Sequence, residues 1–111
     1  INPQQVEGQI EGAIAQALGW ATCENLITAG GQVLTPSLST YLVPNISDMP
    51  ERVDSLIIEN PDPRATWGVR GMGEMPFIPL APALAAAVHD ATGVWFNELP
   101  LTPERVRRAL R

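Results

Sequence analysis

The most constraining feature of this chain is the stretch Thr66-Trp67-Gly68-Val69-Arg70-Gly71-Met72-Gly73-Glu74-Met75-Pro76. Its three glycines leave the backbone poor in side chains, and glycine both accepts positive φ and lets another molecule approach the backbone closely. Glu74 closes this segment, residues 68–74, which we call the glycine loop. We expect its carboxylate either to begin a helix or to act in catalysis, and the residues alone leave both interpretations open.

The glycine loop does not match the familiar nucleotide-binding motifs. No Lys-Ser or Lys-Thr pair follows the last glycine, which excludes a Walker A loop. A dinucleotide fingerprint follows a strand directly and leads directly into a helix. Here Pro61 and Pro63 interrupt the approach, and Pro76 and Pro79 interrupt the exit. A serine nucleophile elbow is also absent.

Glu74 has apolar neighbours in the sequence. Met72, Met75, Phe77 and Ile78 are expected to desolvate its carboxylate, and desolvation is one way in which a glutamate becomes a usable general base near neutral pH. The competing interpretation is a turn in which Glu74 only accepts hydrogen bonds from backbone N–H groups.

Length and charge narrow the class of protein. The 111 residues, 45% of them hydrophobic, predict one globular domain covering residues 1–111. No apolar run approaches the roughly 20 residues that span a bilayer. A net charge of −5 argues against nucleic-acid binding, which needs a basic face.

Few residues could hold a metal. Cys23 and His89 are the only cysteine and histidine, so the chain has no intrachain disulfide and no Cys/His ligand set for zinc or an iron–sulfur cluster. We expect Cys23 to be a reduced core thiol and His89 to be a structural residue near a helix end. Four arginines cluster near the C-terminus, where a helix dipole favours positive charge.

The pattern of apolar residues, glycines and prolines predicts an α+β fold. We expect a small, mainly antiparallel sheet packed against two longer helices, plus a short C-terminal helix. The predicted helices cover residues 6–25 and 81–91, the second buried on more than one side and ended by Gly93, and a last helix is capped by Thr102. A turn at residues 28–32 and strands at residues 38–43, 53–59 and 94–96 complete the prediction.

The first helix has an unusual flank. Gly8, Gly12 and Gly19 lie on it, although each costs roughly 1 kcal/mol relative to alanine inside a helix. Gln9 and Gln16, seven residues apart, face one direction. One interpretation is close packing against a neighbouring element with the glutamines at the surface; the other gives Gln9 a hydrogen bond to a ligand.

Several motifs, in a fixed order, resemble the C-terminal part of the molybdenum-binding subunit of the xanthine dehydrogenase / aldehyde oxidase family. The resemblance runs from about Val6 to the end of the chain. The motifs are Gly8-Gln9-Ile10-Glu11-Gly12-Ala13, Gln16-Ala17-Leu18-Gly19…Glu24, Tyr41-Leu42-Val43-Pro44, Asp48-Met49-Pro50, Gly68-Val69-Arg70-Gly71-Met72-Gly73-Glu74, Ala81-Pro82-Ala83, Asp90-Ala91-Thr92-Gly93 and Leu99-Pro100-Leu101-Thr102-Pro103-Glu104.

The resemblance implies roles for the glycine loop and for Gln9. In that family the glutamate that closes the loop is the general base beside molybdenum, in an oxidoreductase that hydroxylates aldehydes or N-heterocycles. Carried over, the base is Glu74, and Gly71, Met72 and Gly73 lie beside the cofactor. Gln9 is implied to hydrogen-bond a molybdenum ligand or the pterin.

The resemblance also implies what lies outside this chain. A molybdenum–pterin cofactor, as molybdopterin or its cytosine dinucleotide form, is expected in the complete enzyme, with iron–sulfur clusters and, as a further candidate, FAD on other segments or subunits. The expected partners are the rest of the molybdenum subunit and an iron–sulfur subunit or domain, in a cytoplasmic enzyme. We expect no cofactor and no turnover on the 111 residues alone. The alternative is a non-catalytic folded fragment or a self-associating interaction module, which would form a homo-oligomer.

Three positions depart from the family pattern. Arg70 stands where lysine is common, Met75 where proline is usual, and Ala17 where glycine is frequent.

Overall fold

A computed structural model describes residues 1–111 and confirms the α+β class. Helix α1 spans Pro3–Thr22, α2 spans Leu80–Thr92 and α3 spans Pro103–Ala109. Strands β1, Thr28–Ala29, and β2, Gln32–Val33, form the sheet, an antiparallel pair. The chain also contains short 3₁₀ helices at Ile46–Asp48, Thr66–Gly68 and Met75–Phe77.

Helix α1 starts and ends about three residues earlier than the apolar periodicity predicts. Asn2 is its N-cap: the Asn2 side chain accepts a hydrogen bond from the Gln5 N–H at 3.2 Å, and proline follows at the first helical position. At the other end the N–H groups of Cys23 and Glu24 both donate to the Gly19 carbonyl. These two hydrogen bonds close the helix and turn the chain away from the helix axis.

The buried face of α1 is built from small residues. Ala13, Ala17 and Ala21, each four residues apart, are 5%, 0% and 0% exposed. Their size lets α2 and the 3₁₀ turn at Met75–Phe77 pack closely against the helix. The Leu101 N–H donates to the Ala21 carbonyl and joins the C-terminal segment to the same face.

Close packing explains why residue 19 is glycine. A Cβ there would lie 2.5 Å from Pro44 Cδ and would also collide with the Glu24 carboxylate. Gly8 and Gly12 differ, because a Cβ at either would meet nothing within 4 Å. Packing inside this chain therefore explains one of the three helical glycines. At the other two, the helix backbone faces open space.

The predicted turn at residues 28–32 is confirmed as the bend of the hairpin. Gly30 and Gly31 have φ of 56° and 79°, and paired positive φ values suit a two-residue connection between twisted strands. Below the hairpin the buried Thr35 hydroxyl accepts from the Ile27 N–H and donates to the Asn25 carbonyl.

The strands predicted at residues 38–43, 53–59 and 94–96 do not form. The N–H groups of Thr40 and Tyr41 donate to the Ser37 carbonyl, which makes the first segment a turn. Residues 52–60 contain no regular element, and Leu56 is 86% exposed. A β-strand needs a neighbouring strand for its backbone hydrogen bonds, and this chain supplies none beside these segments.

The predicted helix ends at α2 and α3 are confirmed. Gly93, with φ 75°, ends α2 and donates its N–H to the His89 carbonyl. The Thr102 hydroxyl accepts from the Arg105 N–H and caps α3. The expected burial of α2 on more than one side is wrong, however: Ala81 is its one fully buried residue, because no other element of the chain covers its alanine-rich outer face.

The chain has an open shape. Its radius of gyration is 17.4 Å, against about 13 Å for a compact domain of this length. Only 8 of 111 residues are buried. None of the helices combines the length and the apolar character needed to cross a bilayer. Much apolar surface is therefore available to contact other protein.

The two kinds of glycine in α1 predict opposite responses to alanine. Gly12→Ala should raise the free energy of unfolding by about 0.5–1 kcal/mol, because alanine has less backbone entropy to lose and the new methyl group meets open space. Gly19→Ala should lower it, because the overpacking cost of about 1–3 kcal/mol against Pro44 and Glu24 exceeds that gain. Urea unfolding of both variants measures the difference, and equal shifts would contradict the packing role of Gly19.

Candidate functional site

The structure brings Gln9 and Met72 together although they are far apart in the sequence. Gln9 Nε2 donates to the Met72 carbonyl at 3.5 Å, a long hydrogen bond from the exposed side of α1 to the centre of the glycine loop. The Gln9 carbonyl oxygen has no partner in the chain. Two segments that the sequence singled out separately therefore form one surface.

The backbone of the glycine loop is bare. No hydrogen bond within the chain uses the N–H groups from Arg70 to Met75. A Cβ at Gly71 or Gly73 would meet nothing within 4 Å, and neither glycine has a positive φ. The fold of this chain does not itself require glycine at those two positions, so the stretch is suited to close approach by a group from outside the chain.

Unlike Gly71 and Gly73, Gly68 is required by the fold of this chain. Its φ is 68°, and a Cβ would lie 2.5 Å from Pro61 Cβ. The Asp62 N–H donates to the Gly68 carbonyl, and Arg70 Nε donates to the Asn60 carbonyl at 2.7 Å. These bonds close residues 60–70 into a loop. They also hold the Arg70 side chain against the start of that loop, at Asn60.

An ion pair stiffens the same loop. Arg64 donates from Nε and Nη2 to the Asp62 carboxylate, which also accepts from the Arg64 N–H. These side-chain bonds, and then the backbone bond, hold the pKa of Asp62 below its usual value. Hydrogen bonds between Asp62 and Arg64 therefore stabilise the conformation of the segment that precedes the glycine loop.

Glu74 stands at the N-cap position of the 3₁₀ turn Met75–Phe77, but its side chain makes no capping hydrogen bond. Its backbone carbonyl accepts from the Phe77 N–H at 3.0 Å, and its carboxylate has no hydrogen bond or ion pair in the chain. Glu74 is exposed, so the expected desolvation by its sequence neighbours is absent here: Met75 and Ile78 point outward as well. Glu74 therefore stands where a short helix begins, but its side chain does not cap that helix.

Glu74 lines an open cavity of about 450 Å³ between the glycine loop and α1. Gln16 and Trp20 of α1 and Glu24, just beyond the end of that helix, form one side, and Phe77 and Ile78 form the other. The Trp20 and Phe77 rings lie 5.8 Å apart at 45°. A second, more apolar groove of about 650 Å³ adjoins Met72 and Met75.

Glu24 and Tyr41 form a pair that sequence reasoning did not predict. The Tyr41 hydroxyl donates to Glu24 Oε2 at 2.8 Å. That bond, followed by partial burial and the negative charge of Glu24, raises the pKa of Tyr41 above its ordinary value. Both residues lie inside motifs quoted above, but periodicity gives no signal for a contact between a helix end and a turn.

The chain offers no metal-ligand set of its own, since no three His, Cys, Asp or Glu side chains are grouped for one. A molybdenum ion would therefore need ligands from a cofactor. The unpaired backbone N–H groups, the free Gln9 oxygen and the open space at Gly71 and Gly73 fit the polar atoms of such a group. The residues present fit a molybdenum–pterin cofactor.

The chain is similar to several known proteins. A family model described as a molybdopterin cofactor-binding domain matches residues 1–50. The putative xanthine dehydrogenase molybdenum-binding subunit XdhA of Escherichia coli (strain K12) is 40% identical over 108 residues. The probable hypoxanthine oxidase XdhD of the same organism is 36% identical over 111 residues. The resemblance inferred from the sequence is confirmed.

Solved structures agree in fold. The crystal structure of quinoline 2-oxidoreductase from Pseudomonas putida 86 superposes with a TM-score of 0.88 at 41% identity, over 99% of this chain. The match covers 14% of that chain, and the alignments cover 96% and 99% of this chain but 14% and 12% of the two relatives. This chain thus spans only a small part of the length of the proteins it matches.

Tyr41 is the only tyrosine, so its ionisation can be followed directly by ultraviolet absorbance. We expect its midpoint to lie above the ordinary value of about 10 and to move back toward it in Glu24→Gln, which weakens the hydrogen bond from the Tyr41 hydroxyl and removes the negative charge. Because the folded pKa is the raised one, the stabilisation is complete below about pH 10 and is lost as the pH rises through the folded pKa. Unfolding of Tyr41→Phe should lack that alkaline loss; an unchanged midpoint in Glu24→Gln would contradict the pairing.

Proposed function

We propose that this chain forms one side of the molybdenum–pterin site of a molybdenum hydroxylase, with Glu74 as the general base. The observation that carries the proposal is the contact of Gln9 with the glycine loop. That contact joins an amide to the bare backbone at Met72, and Glu74, a carboxylate without a structural partner, follows two residues later in the chain. The similarity to molybdenum-binding subunits supports the identity of the cofactor.

The proposed cofactor contacts come from Gln9, Gly71, Met72 and Gly73. Gln9 would use its carbonyl oxygen, which has no partner in the chain, while its Nε2 donates to the Met72 carbonyl. The unpaired N–H groups of the glycine loop would donate to oxygen or nitrogen atoms of the cofactor. Glycine at 71 and 73 keeps that backbone accessible, because a side chain at either position would stand between the N–H groups and the bound group.

When bound, the cofactor supplies the two-electron acceptor for oxidation of a substrate carbon. Glu74 takes up the proton that the reaction releases, on a carboxylate oxygen. That carboxylate caps no helix and joins no ion pair, so protonation breaks no interaction of the fold. Met75 and Ile78, both exposed, are available to exclude water from the Glu74 carboxylate when other segments cover them.

The proposed substrates are aldehydes or N-heterocycles. The relatives are named for xanthine, hypoxanthine and quinoline, which are flat nitrogen-containing rings, and this favours the second class. Because the chain spans at most 14% of those proteins, we propose that the rest of a molybdenum subunit completes the site. An iron–sulfur subunit or domain, with FAD as a further candidate, would then carry the electrons away.

Glu74→Gln and Glu74→Ala test the base in the complete enzyme. Turnover should fall by at least about 10²-fold, the lower range for loss of a general base. Molybdenum and pterin content should stay near normal, because the Glu74 side chain holds no part of the fold. Steady-state assays with metal analysis give both results.

Glu51→Gln is the matched control, since Glu51 is also exposed and has no partner in the chain. It should keep normal turnover. Retained activity in Glu74→Gln would rule out Glu74 as the base.

Gln9→Leu tests the cofactor contact. Loss of the side-chain amide removes both the bond to Met72 and the free acceptor, so cofactor content of the purified complete enzyme should fall by about 10-fold, the change that 1.4 kcal/mol produces. Gln4→Leu, on the exposed first turn of the same helix, should bind normally. Equal cofactor content in the two variants would remove Gln9 from the site.

A second candidate is self-association of the 111-residue chain without catalysis. The observation in its favour is the large exposed apolar surface, which includes Leu38, Leu56 and Ile58. Sizing the purified chain and measuring its molybdenum content separates the two: a metal-free dimer supports this candidate, and a metal-free monomer removes it.

A further inference from the structure

Trp20 lines the same cavity as Glu74 but has no role in the function proposed above. It lies on α1 about three helical turns after Gln9, and so on nearly the same side of the helix. Gln9 contacts the glycine loop at Met72, and Trp20 contacts the following turn at Phe77. The segment between Met72 and Phe77 is thus attached to α1 at both of its ends.

Glu74 lies between these two attachments and has none of its own. Its carboxylate touches no partner, so its position depends on the backbone of the turn. The Phe77 N–H donates to the Glu74 carbonyl at 3.0 Å, and that bond joins the two residues within one 3₁₀ turn. Whatever holds the Phe77 ring therefore also sets the direction in which Glu74 leaves the turn.

The Phe77 ring is held by Trp20. The ring centroids are 5.8 Å apart at 45°, within the range of favourable tilted aromatic pairs. Trp20, Phe77 and Glu74 line one cavity, and Trp20 is 48% exposed.

We infer that Trp20 is a positioning residue for Glu74, acting through Phe77. The inference rests on the proposed role of Glu74 as the general base. Trp20 itself touches no reacting atom. It fixes the turn that presents the carboxylate, and a misplacement on the order of 1 Å in such a group lowers a rate by about 10²-fold.

The test uses the complete enzyme and two independent readouts. Trp20→Leu should speed hydrogen exchange at the Phe77 amide, because the bond to the Glu74 carbonyl loosens. It should lower kcat by about 10- to 100-fold with KM and molybdenum content unchanged. Trp20→Phe, which keeps an aromatic ring, should restore most of both. Phe77→Leu should reproduce the Trp20→Leu result from the other side of the contact, and it serves if Trp20→Leu does not fold.

Trp95→Leu is the matched control. Trp95 also belongs to an aromatic pair, stacked on His89 at 3.9 Å, but lies beyond α2 and lines neither the glycine loop nor the Glu74 cavity. It should change neither exchange at Phe77 nor kcat.

Two results overturn the inference, and each can be told from a failure of the proposed function. Unchanged exchange at Phe77 in Trp20→Leu shows that Trp20 does not hold the turn. Faster exchange with normal kcat shows that the turn does not position the base, provided Glu74→Gln is inactive. If Glu74→Gln is active, the role of Glu74 as base has failed, and the role assigned to Trp20 fails with it.

Discussion

The close-packed alanine face of α1 is the constraint on which the rest of the structure depends. Ala13, Ala17 and Ala21 are the most buried side chains of the helix, and the elements that carry the site pack against them or beside them. Larger residues there would push the Met75–Phe77 turn away from α1. The distance between Gln9 and the Met72 carbonyl, and the contact of Trp20 with Phe77, both follow from that close approach.

Local signals predicted the parts of the fold that local chemistry decides. The caps at Gly93 and Thr102 and the glycine pair at 30 and 31 behave as expected, because each depends on its own φ or on a hydrogen bond a few residues away. The strands expected at residues 38–43, 53–59 and 94–96 depend on a neighbour. Apolar and β-branched residues favour a strand only where a neighbouring strand can pair with it, and this chain has no such strand beside these segments.

In the site, too, local features could be predicted from the sequence and contacts between distant segments could not. The glycine loop and Gln9 could be selected from the sequence, but spacing alone left Glu74 open between a cap and a base. The structure adds that the side chain caps nothing. The Glu24–Tyr41 bond and the Trp20–Phe77 contact had no sequence signal, because each joins α1, or the residues just after it, to a segment whose distance is set by tertiary packing.

The glycines separate what the chain needs for itself from what it offers to other groups. Gly19 and Gly68 are required by close contacts with Pro44 and Pro61. Gly12, Gly71 and Gly73 face open space, and the backbone beside the last two keeps unpaired N–H groups. Glycine inside a helix has an entropic cost, and an unpaired N–H must reach either water or a partner. Folding of this chain alone does not explain a surface that carries both features.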